Sequence, residues 1–272
     1  MAVAESLLRV RDLTAQFTTR GVTSQVVKGV SFDIAAGEAV GFVGESGSGK
    51  SVTARAVLRL APEGSSVRWG GAVHFRGQNL LQLKEQEMQD VRGRRIAMVF
   101  QDPMTSLNPV MTVGSQIDDM VRRHTGVSRE AARRRTVDLL GLVGIRDAAR
   151  RANDYPHHFS GGMRQRVLIA IAVSCEPDLL IADEPTTALD VTVQAQILRL
   201  LMRLRQDLGM ALMLITHDFG VIAGMVERVH VMLQGEIVEA GAIDSVFANP
   251  QHAYTRALLD AVPRLTTPGR SA

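Results

Sequence analysis

The stretch GESGSGKS, residues 44 to 51, has the residue types and spacing of a phosphate-binding loop, G-x-x-x-x-G-K-[ST]. Its glycines allow a tight turn in which backbone N–H groups converge on phosphate oxygens. Lys50 supplies a compact cation for the β- and γ-phosphates, and Ser51 a hydroxyl ligand for Mg²⁺. An apolar strand before the loop and a helix after it favour this interpretation over a flexible linker. The predicted nucleotide contacts are Gly44, Glu45, Ser46, Gly47, Ser48, Gly49, Lys50, Ser51 and Val52. They do not distinguish ATP from GTP.

A second group of candidate residues follows an apolar run, in the stretch DLLIADEP. Leu179 to Ala182 predict a buried strand, so that Asp183 and Glu184 lie at its carboxyl end, where open α/β sheets bind ligands. Mg²⁺ beside a triphosphate keeps most of its waters, and we expect Asp183 to hold one of them. Glu184 is then placed to polarise the attacking water. An acidic pair at a strand end is otherwise a solvated cap, and the phosphate loop in the same chain favours the catalytic interpretation.

Gln101 and His217 also follow predicted strands, in VFQDP and LITHD. Gln101 could contact Mg²⁺ or the attacking water, and His217 could orient that water or stabilise developing charge. Alone, each would be an ordinary surface or structural residue.

A further helix start lies in the stretch HHFSGGMRQR. Ser160 is a predicted N-cap, and Gly161 and Gly162 leave bare N–H groups in the first helical turn. On its own this is a plain helix start.

The elements that must position these residues alternate between strand and helix at both ends of the chain. Strands are predicted before residue 101 and again from about 178, with a β-turn at Gln234 and Gly235. The middle, about residues 102 to 177, is predicted to be helical, with helices near 112–124, 128–143 and 160–174. Two short helices, near 242–248 and 252–262, complete the prediction. The sequence therefore predicts an α/β core with a helical insertion.

Composition narrows the class of protein. The 272 residues are 46% hydrophobic and 22% charged, with a formal net charge of +3, which is ordinary for a globular protein. The arginines are scattered, and the densest cluster, Arg133 to Arg135, is predicted to be a solvated helix face rather than a nucleic-acid surface. A single cysteine, Cys175, is too few for a disulfide, zinc or iron–sulfur site. No apolar run is long enough to predict a membrane span or signal peptide.

Taken in order, GESGSGKS, VFQDP, FSGGMRQR, LLIADEP, TALD and ITHD resemble the motif series of an ABC-type ATPase. The resemblance extends over about residues 7 to 262. Longer stretches, including QDPMTSLNPVMTVGSQI and ANPQHAYTRALLDAVP, are similar to the ATPase subunits of bacterial oligopeptide, dipeptide and nickel importers. The resemblance implies a P-loop NTPase (RecA-like) core in residues 1–101 and 178–240, with an N-terminal antiparallel β subdomain. It also implies a helical signalling subdomain in 102–177. A single ATPase domain is expected to span 1–262, and its last residues overlap with a short helical tail in 241–272.

The resemblance further implies a function as an ATP-hydrolysing, Mg²⁺-dependent subunit of a peptide importer. Two such subunits face each other, so that Ser160, Gly161 and Gly162 contact the ATP of the opposite subunit and Asp190 reaches across the interface. Phe17 matches the aromatic residue that stacks on adenine, although it could equally be a core residue of its strand. The implied catalytic residues are Glu184, His217 and Gln101, and the implied metal contacts are Ser51, Gln101 and Asp183.

The implied partners are two integral-membrane permeases, docked on the segment from Gln101 to about residue 125, and a second ABC ATPase subunit, either a copy or a homologue. An extracytoplasmic solute-binding protein is an indirect partner, and no nucleic acid is expected. The location is peripheral, on the cytoplasmic face of the inner membrane. Alternatives are a nickel or metal-chelate importer ATPase, a soluble non-transport ABC ATPase and a non-hydrolysing nucleotide-binding module. The signature departs from the general family at Phe159 and Met163, where Leu and Gln are usual.

Overall fold

The computed structural model describes residues 6–19, 21–61, 66–187 and 189–261. Part of the predicted helical tail, residues 262 to 272, lies outside these ranges. The strands are β1 (Ser6–Thr19), β2 (Val22–Ala35), β3 (Ala39–Val43), β4 (Ser66–Phe75), β5 (Gln78–Asn79), β6 (Ile96–Val99), β7 (Leu179–Asp183), β8 (Ala211–Thr216), β9 (Arg228–Leu233) and β10 (Glu236–Ala242). The helices are α1 (Lys50–Val57), α2 (Glu85–Val91), α3 (Pro103–Ser106), α4 (Val113–Thr125), α5 (Arg129–Leu142), α6 (Ala148–Arg151), α7 (Gly161–Val173), α8 (Val191–Leu208), α9 (Phe219–Ile222), α10 (Ile243–Ala248) and α11 (Ala253–Asp260).

The strands form two sheets. One is antiparallel, in the order β2-β1-β4-β5. The other has the order β10-β9-β3-β8-β7-β6, in which the pairs from β9 to β6 are parallel and β10 pairs antiparallel to β9. The predicted α/β class is confirmed, because strands separated by helices run parallel in one sheet.

The larger sheet is the central layer, and its strands β3, β7 and β8 are buried on both faces. Along β3, Val40 and Phe42 pack towards the antiparallel sheet and α1, whereas Ala39 and Val43 pack towards the helices on the other side. Strands β7 and β8 alternate in the same way. Residues buried on both faces explain why these strands are continuous apolar runs in the sequence rather than alternating patterns.

A helical segment, α3 to α7, separates β6 from β7 along the chain. Three of its helices begin at the hydroxyl caps expected of their sequences: Thr112 accepts from the N–H of residue 115, Ser128 from 131 and Ser160 from 163. Among the described helices, none combines the length and the apolar character that crossing a bilayer requires.

The prediction that Arg133 to Arg135 form one solvated face is wrong for two of the three residues. Arg133 donates to the Asn153 side chain, and Arg135 donates to the carbonyl of Ser174. Of the three, only Arg134 is exposed, and the other two are half-buried. The other two guanidinium groups fasten α5 to neighbouring segments of the helical region, a long-range role that a run of charges does not reveal.

Candidate functional site

The phosphate loop lies between the buried strand β3 and the first turn of α1. Its first residue, Gly44, has φ = 155°, and a Cβ there would lie 2.2 Å from the carbonyl oxygen of Met232 in β9. Any side chain would therefore push β3 and β9 apart. The loop's backbone is also held by the turn between β9 and β10, where the N–H of Gly235 donates to the carbonyl of Ser48 at 2.9 Å.

Lys50, the first residue of α1, is almost completely buried and turns its amino group back into the loop. Its Nζ donates to the carbonyl oxygens of Gly44 at 2.7 Å and Glu45 at 2.9 Å. Burial lowers the pKa of Lys50, whereas the negative charges of Glu184, Asp183 and Glu45 act in the opposite direction. A phosphate entering the loop would meet this cation together with the N-terminus of α1.

Asp183, the last residue of β7, lies directly beside the loop. Its Oδ1 accepts a hydrogen bond from the Ser51 hydroxyl at 2.7 Å. Its Oδ2 is buried and has no hydrogen-bond partner among the described residues. Burial raises the pKa of Asp183, and the hydrogen bond from Ser51 and the charge of Arg55 oppose that shift. An unpaired buried carboxylate oxygen is costly, so this residue pair fits a hard cation such as Mg²⁺.

Glu184 brings together the three residues predicted to be catalytic. Its Oε2 accepts from the Gln101 amide at 3.0 Å and lies 3.5 Å from Nδ1 of His217. Thr187, which the sequence analysis missed, donates its hydroxyl to the same oxygen at 2.9 Å. The signal was a hydroxyl three residues after the acid, in EPTT. Glu184 has a left-handed backbone, φ = 45°, which non-glycine residues adopt infrequently.

The phosphate loop, Gln101 and Glu184 line one cleft of about 180 Å³, and Asp183, Thr187 and His217 lie behind its walls or beside them. Its walls are Val26, Ser46, Gly47, Ser48, Gly49, Lys50, Ser51, Val52, Gln101 and Glu184. A larger depression of about 740 Å³ lies among α4 and α5 and contains none of the phosphate-loop residues. Phe17 is outside the lining of the cleft. It is half-buried in β1, and its ring meets the edge of Trp69 at 6.2 Å between centroids, so the proposed adenine stack stays a prediction.

A second group of predicted residues lies at the adjoining N-termini of α7 and α8, outside the lining of that cleft. It consists of Ser160, Gly161, Gly162 and Asp190. Asp190 caps α8 by accepting from the N–H of Val193 at 3.0 Å. A Cβ on Gly162 would lie 2.5 Å from Cγ1 of Val193. Glycine at 162 therefore lets the two helix ends approach each other closely, a packing role that the sequence did not indicate.

The two departures from the family's usual signature are both accommodated. Phe159 is buried, and the Arg151 guanidinium lies 5.6 Å from the centre of its ring. Met163 packs against the larger apolar core, and its N–H donates to the Ser160 hydroxyl at 3.4 Å. Neither change disturbs the helix start.

Comparisons with known proteins agree with this geometry. The sequence model of the ABC transporter family matches residues 27–187, and that of the oligopeptide/dipeptide transporter C-terminal region matches residues 238–272. The chain is 55% identical, over 96% of its length and 78% of the relative's, to a probable peptide ABC transporter ATP-binding protein, y4tR, of Sinorhizobium fredii. It is 51% identical to the oligopeptide transport ATP-binding protein OppD of Bacillus subtilis, over 97% of this chain and 74% of that one.

Solved structures give the same result. The chain superimposes with a TM-score of 0.76 on the dimeric ATP-binding cassette MJ0796 in a post-hydrolysis state bound to ADP and phosphate, at 28% identity, covering 87% of this chain and 98% of that one. It also matches cbiO1 of Clostridium perfringens, part of the transporter complex cbiONQ, with a TM-score of 0.75 and 25% identity over 90% and 91% of the two chains. With its fold, its phosphate loop and its close relatives in agreement, the chain belongs to the ABC transporter family as an ATP-binding protein.

Proposed function

We propose that this chain hydrolyses ATP to power a bacterial importer of di- and oligopeptides. The observation that carries hydrolysis is the convergence of Gln101, Thr187 and His217 on one oxygen of Glu184, at the edge of the phosphate-loop cleft. A module that only bound nucleotide would have no need of this arrangement. Peptides are favoured over nickel or metal chelates because the C-terminal match and the names of the most similar relatives both specify peptide transport.

In the proposed mechanism, the triphosphate of ATP lies along residues 44 to 52. Lys50 neutralises the β- and γ-phosphates, and the bare N–H groups of the loop bind their oxygens. Ser51 and Asp183, with Gln101 nearby, would hold Mg²⁺, which supplies positive charge to the transferred phosphoryl group. Glu184 accepts a proton from the attacking water, and His217 orients that water and stabilises the developing charge.

The second group of residues acts on a different ATP molecule in this proposal. Ser160, Gly161, Gly162 and Asp190 lie at the N-termini of α7 and α8, and they would complete the site of a facing ATPase subunit, whether a copy or a homologue. The neighbour that shares this fold is described as dimeric. Two ATP molecules would close such a dimer and hydrolysis would open it, a ligand-driven population shift.

The opening and closing would be transmitted to two membrane permeases, which receive peptide from an extracytoplasmic solute-binding protein. The proposed docking segment runs from Gln101 to about residue 125. This segment contains the helix α3 and most of α4, with Val110 80% exposed between them. The chain would accordingly work peripherally, on the cytoplasmic face of the inner membrane.

The test uses paired variants. Glu184→Gln should still bind ATP and should lose most hydrolysis, because the amide cannot accept the proton from water. Glu176→Gln is the matched control, since that carboxylate pairs with Arg135 outside the cleft. Lys50→Ala should lose most nucleotide affinity. Hydrolysis by Glu184→Gln at the parent rate would overturn the catalytic assignment, and recovery of ribosomes instead of permeases with the tagged chain would overturn the transport assignment.

A further inference from the structure

The C-terminal helix α11 touches the phosphate loop directly. The backbone N–H of Glu45 donates to the hydroxyl oxygen of Tyr254 at 2.8 Å, although the two residues are 209 positions apart in the chain. Tyr254 belongs to the segment matched by the C-terminal region of peptide transporters, residues 238–272. The contact therefore joins the part of the chain that marks the peptide class to the part that holds phosphate.

The contact completes the fixing of a single peptide unit. The amide between Gly44 and Glu45 has two polar atoms, its carbonyl oxygen and its N–H. Lys50 donates to the carbonyl oxygen at 2.7 Å, and Tyr254 accepts from the N–H on the opposite side. With both atoms bonded, the plane of this peptide cannot rotate without breaking a hydrogen bond. The orientation of this peptide also sets the direction of the backbone as it enters the rest of the phosphate loop.

Tyr254 is itself held firmly. The carboxylate of Glu239, in β10, accepts from the N–H groups of Gln251 at 2.7 Å and His252 at 3.0 Å. The ring nitrogen Nδ1 of His252 then caps α11 by accepting from the N–H of Tyr254 at 3.2 Å. The Tyr254 ring packs against the larger apolar core. The hydrogen bonds from the turn at residues 251 and 252 to β10, together with the cap of α11, therefore hold the Tyr254 hydroxyl beside the loop.

The hydroxyl is also in the right protonation state to accept. Burial raises the pKa of Tyr254, the hydrogen bond from the Glu45 N–H partly opposes that shift, and the nearby charge of Glu45 adds to it. The phenol is therefore neutral at physiological pH. It accepts from the loop while keeping its own proton, and it adds no negative charge beside the phosphate site.

We infer that Tyr254 is a positioning residue for ATP: it locks the Gly44–Glu45 peptide so that the loop is ready for phosphate before ATP arrives. This deepens the proposed function and rests on it. Tyr254 touches no reacting atom and acts through the loop, so it should affect how tightly ATP binds. A loop that must order itself on binding binds more weakly than one already ordered.

The experiment exploits the fact that the chain has two tyrosines, Tyr155 and Tyr254. Tyr254→Phe removes only the acceptor oxygen. In a Glu184→Gln background, which prevents hydrolysis, its dissociation constant for ATP should rise about two- to tenfold, the range of one hydrogen bond. Tyr155→Phe removes an exposed hydroxyl elsewhere and should bind ATP like its parent. The melting temperature without nucleotide should be the same in all three proteins, which separates positioning from general stability.

A second readout needs no loss of function. When both tyrosines are replaced by 3-fluorotyrosine, fluorine NMR gives a resonance for each, and Tyr155→Phe assigns them. The resonance of residue 254 should shift when ATP is added to the intact chain. Equal ATP affinity in Tyr254→Phe and its parent would overturn the inference and leave the proposed function standing. Failure of the parent itself to bind ATP would instead overturn the proposed function.

Discussion

Replacing Gly162 by alanine tests whether the glycine serves packing, chemistry or both. The new methyl group would lie 2.5 Å from Cγ1 of Val193, well inside van der Waals contact. Val193 is β-branched and lies in the first turn of α8, where its side chain has essentially one rotamer, so it cannot turn away. Overpacking of this kind costs about 1–3 kcal/mol, and the better helix propensity of alanine returns about 1 kcal/mol. The middle of that cost, about 2 kcal/mol, less about 1 kcal/mol leaves an expected net loss of about 1 kcal/mol and a melting temperature lower by about 2–4 °C.

A second substitution separates the two roles. Val193→Ala removes the methyl group that clashes, so the double variant Gly162→Ala/Val193→Ala should melt close to the Val193→Ala control. Its ATP hydrolysis should stay low, because the proposed partner site needs the bare backbone of residue 162. The assay is phosphate release at saturating ATP beside thermal melting. Hydrolysis that recovers together with stability would show that the glycine serves packing alone, and parent-like melting of Gly162→Ala would refute the clash itself.

Three further predictions follow from buried or bonded side chains. His230 is buried, and desolvation is the main cause that lowers its pKa to about 4. As the pH falls, the unfolded chain therefore binds a proton at this histidine before the folded chain does. The free energy of unfolding should decrease as the pH drops from about 6.5 to about 4. At about 1.4 kcal/mol per pKa unit the loss is about 3 kcal/mol, and denaturant melts of His230→Phe should lack this pH slope. Thr187→Val removes a hydrogen bond to Glu184 and should lower the rate of phosphate release at saturating ATP about two- to tenfold; an unchanged rate would count against a role for the hydroxyl. Ser51→Ala leaves the buried Asp183 carboxylate without its hydrogen-bond donor. Without nucleotide, the free energy of unfolding should decrease by about 1–3 kcal/mol. Equal melting temperatures of the variant and its parent would contradict this prediction.

Local signals accounted for most of the fold. Helices predicted near 112–124, 128–143 and 160–174 are observed at 113–125, 129–142 and 161–173, because each starts at a hydroxyl cap. The first two carry a core-facing stripe, and the third is buried on nearly all sides. The turn at Gln234 and Gly235 has positive φ at both residues, as the prediction requires. Helix α2 was missed, since its seven residues are too few to show a clear period. The order of the strands was also beyond the sequence, because it depends on pairings between distant segments.

The candidate site also contains residues that the sequence could identify and residues that it could not. The phosphate loop is contiguous, so its residues could be named from one motif. The meeting of Gln101, Glu184 and His217 followed from the rule that parallel strands present their carboxyl ends together. Tyr254 could not be found, since no local pattern connects it with Glu45. The packing role of Gly162 was hidden for a similar reason, because its contact is made by a different helix.

The position of β3 in its sheet has a consequence for how the protein is made. The strand that carries the phosphate loop pairs on one side with β8 and on the other with β9, and both are translated long after it. During synthesis the loop emerges early, yet its strand gains its first neighbour only after residue 216 and its second only after residue 233 has left the ribosome. Contacts of such long sequence separation form slowly. A nascent chain should therefore acquire its ability to bind ATP only after residue 233 has emerged, so a product truncated before that point would not compete for nucleotide or for partner subunits.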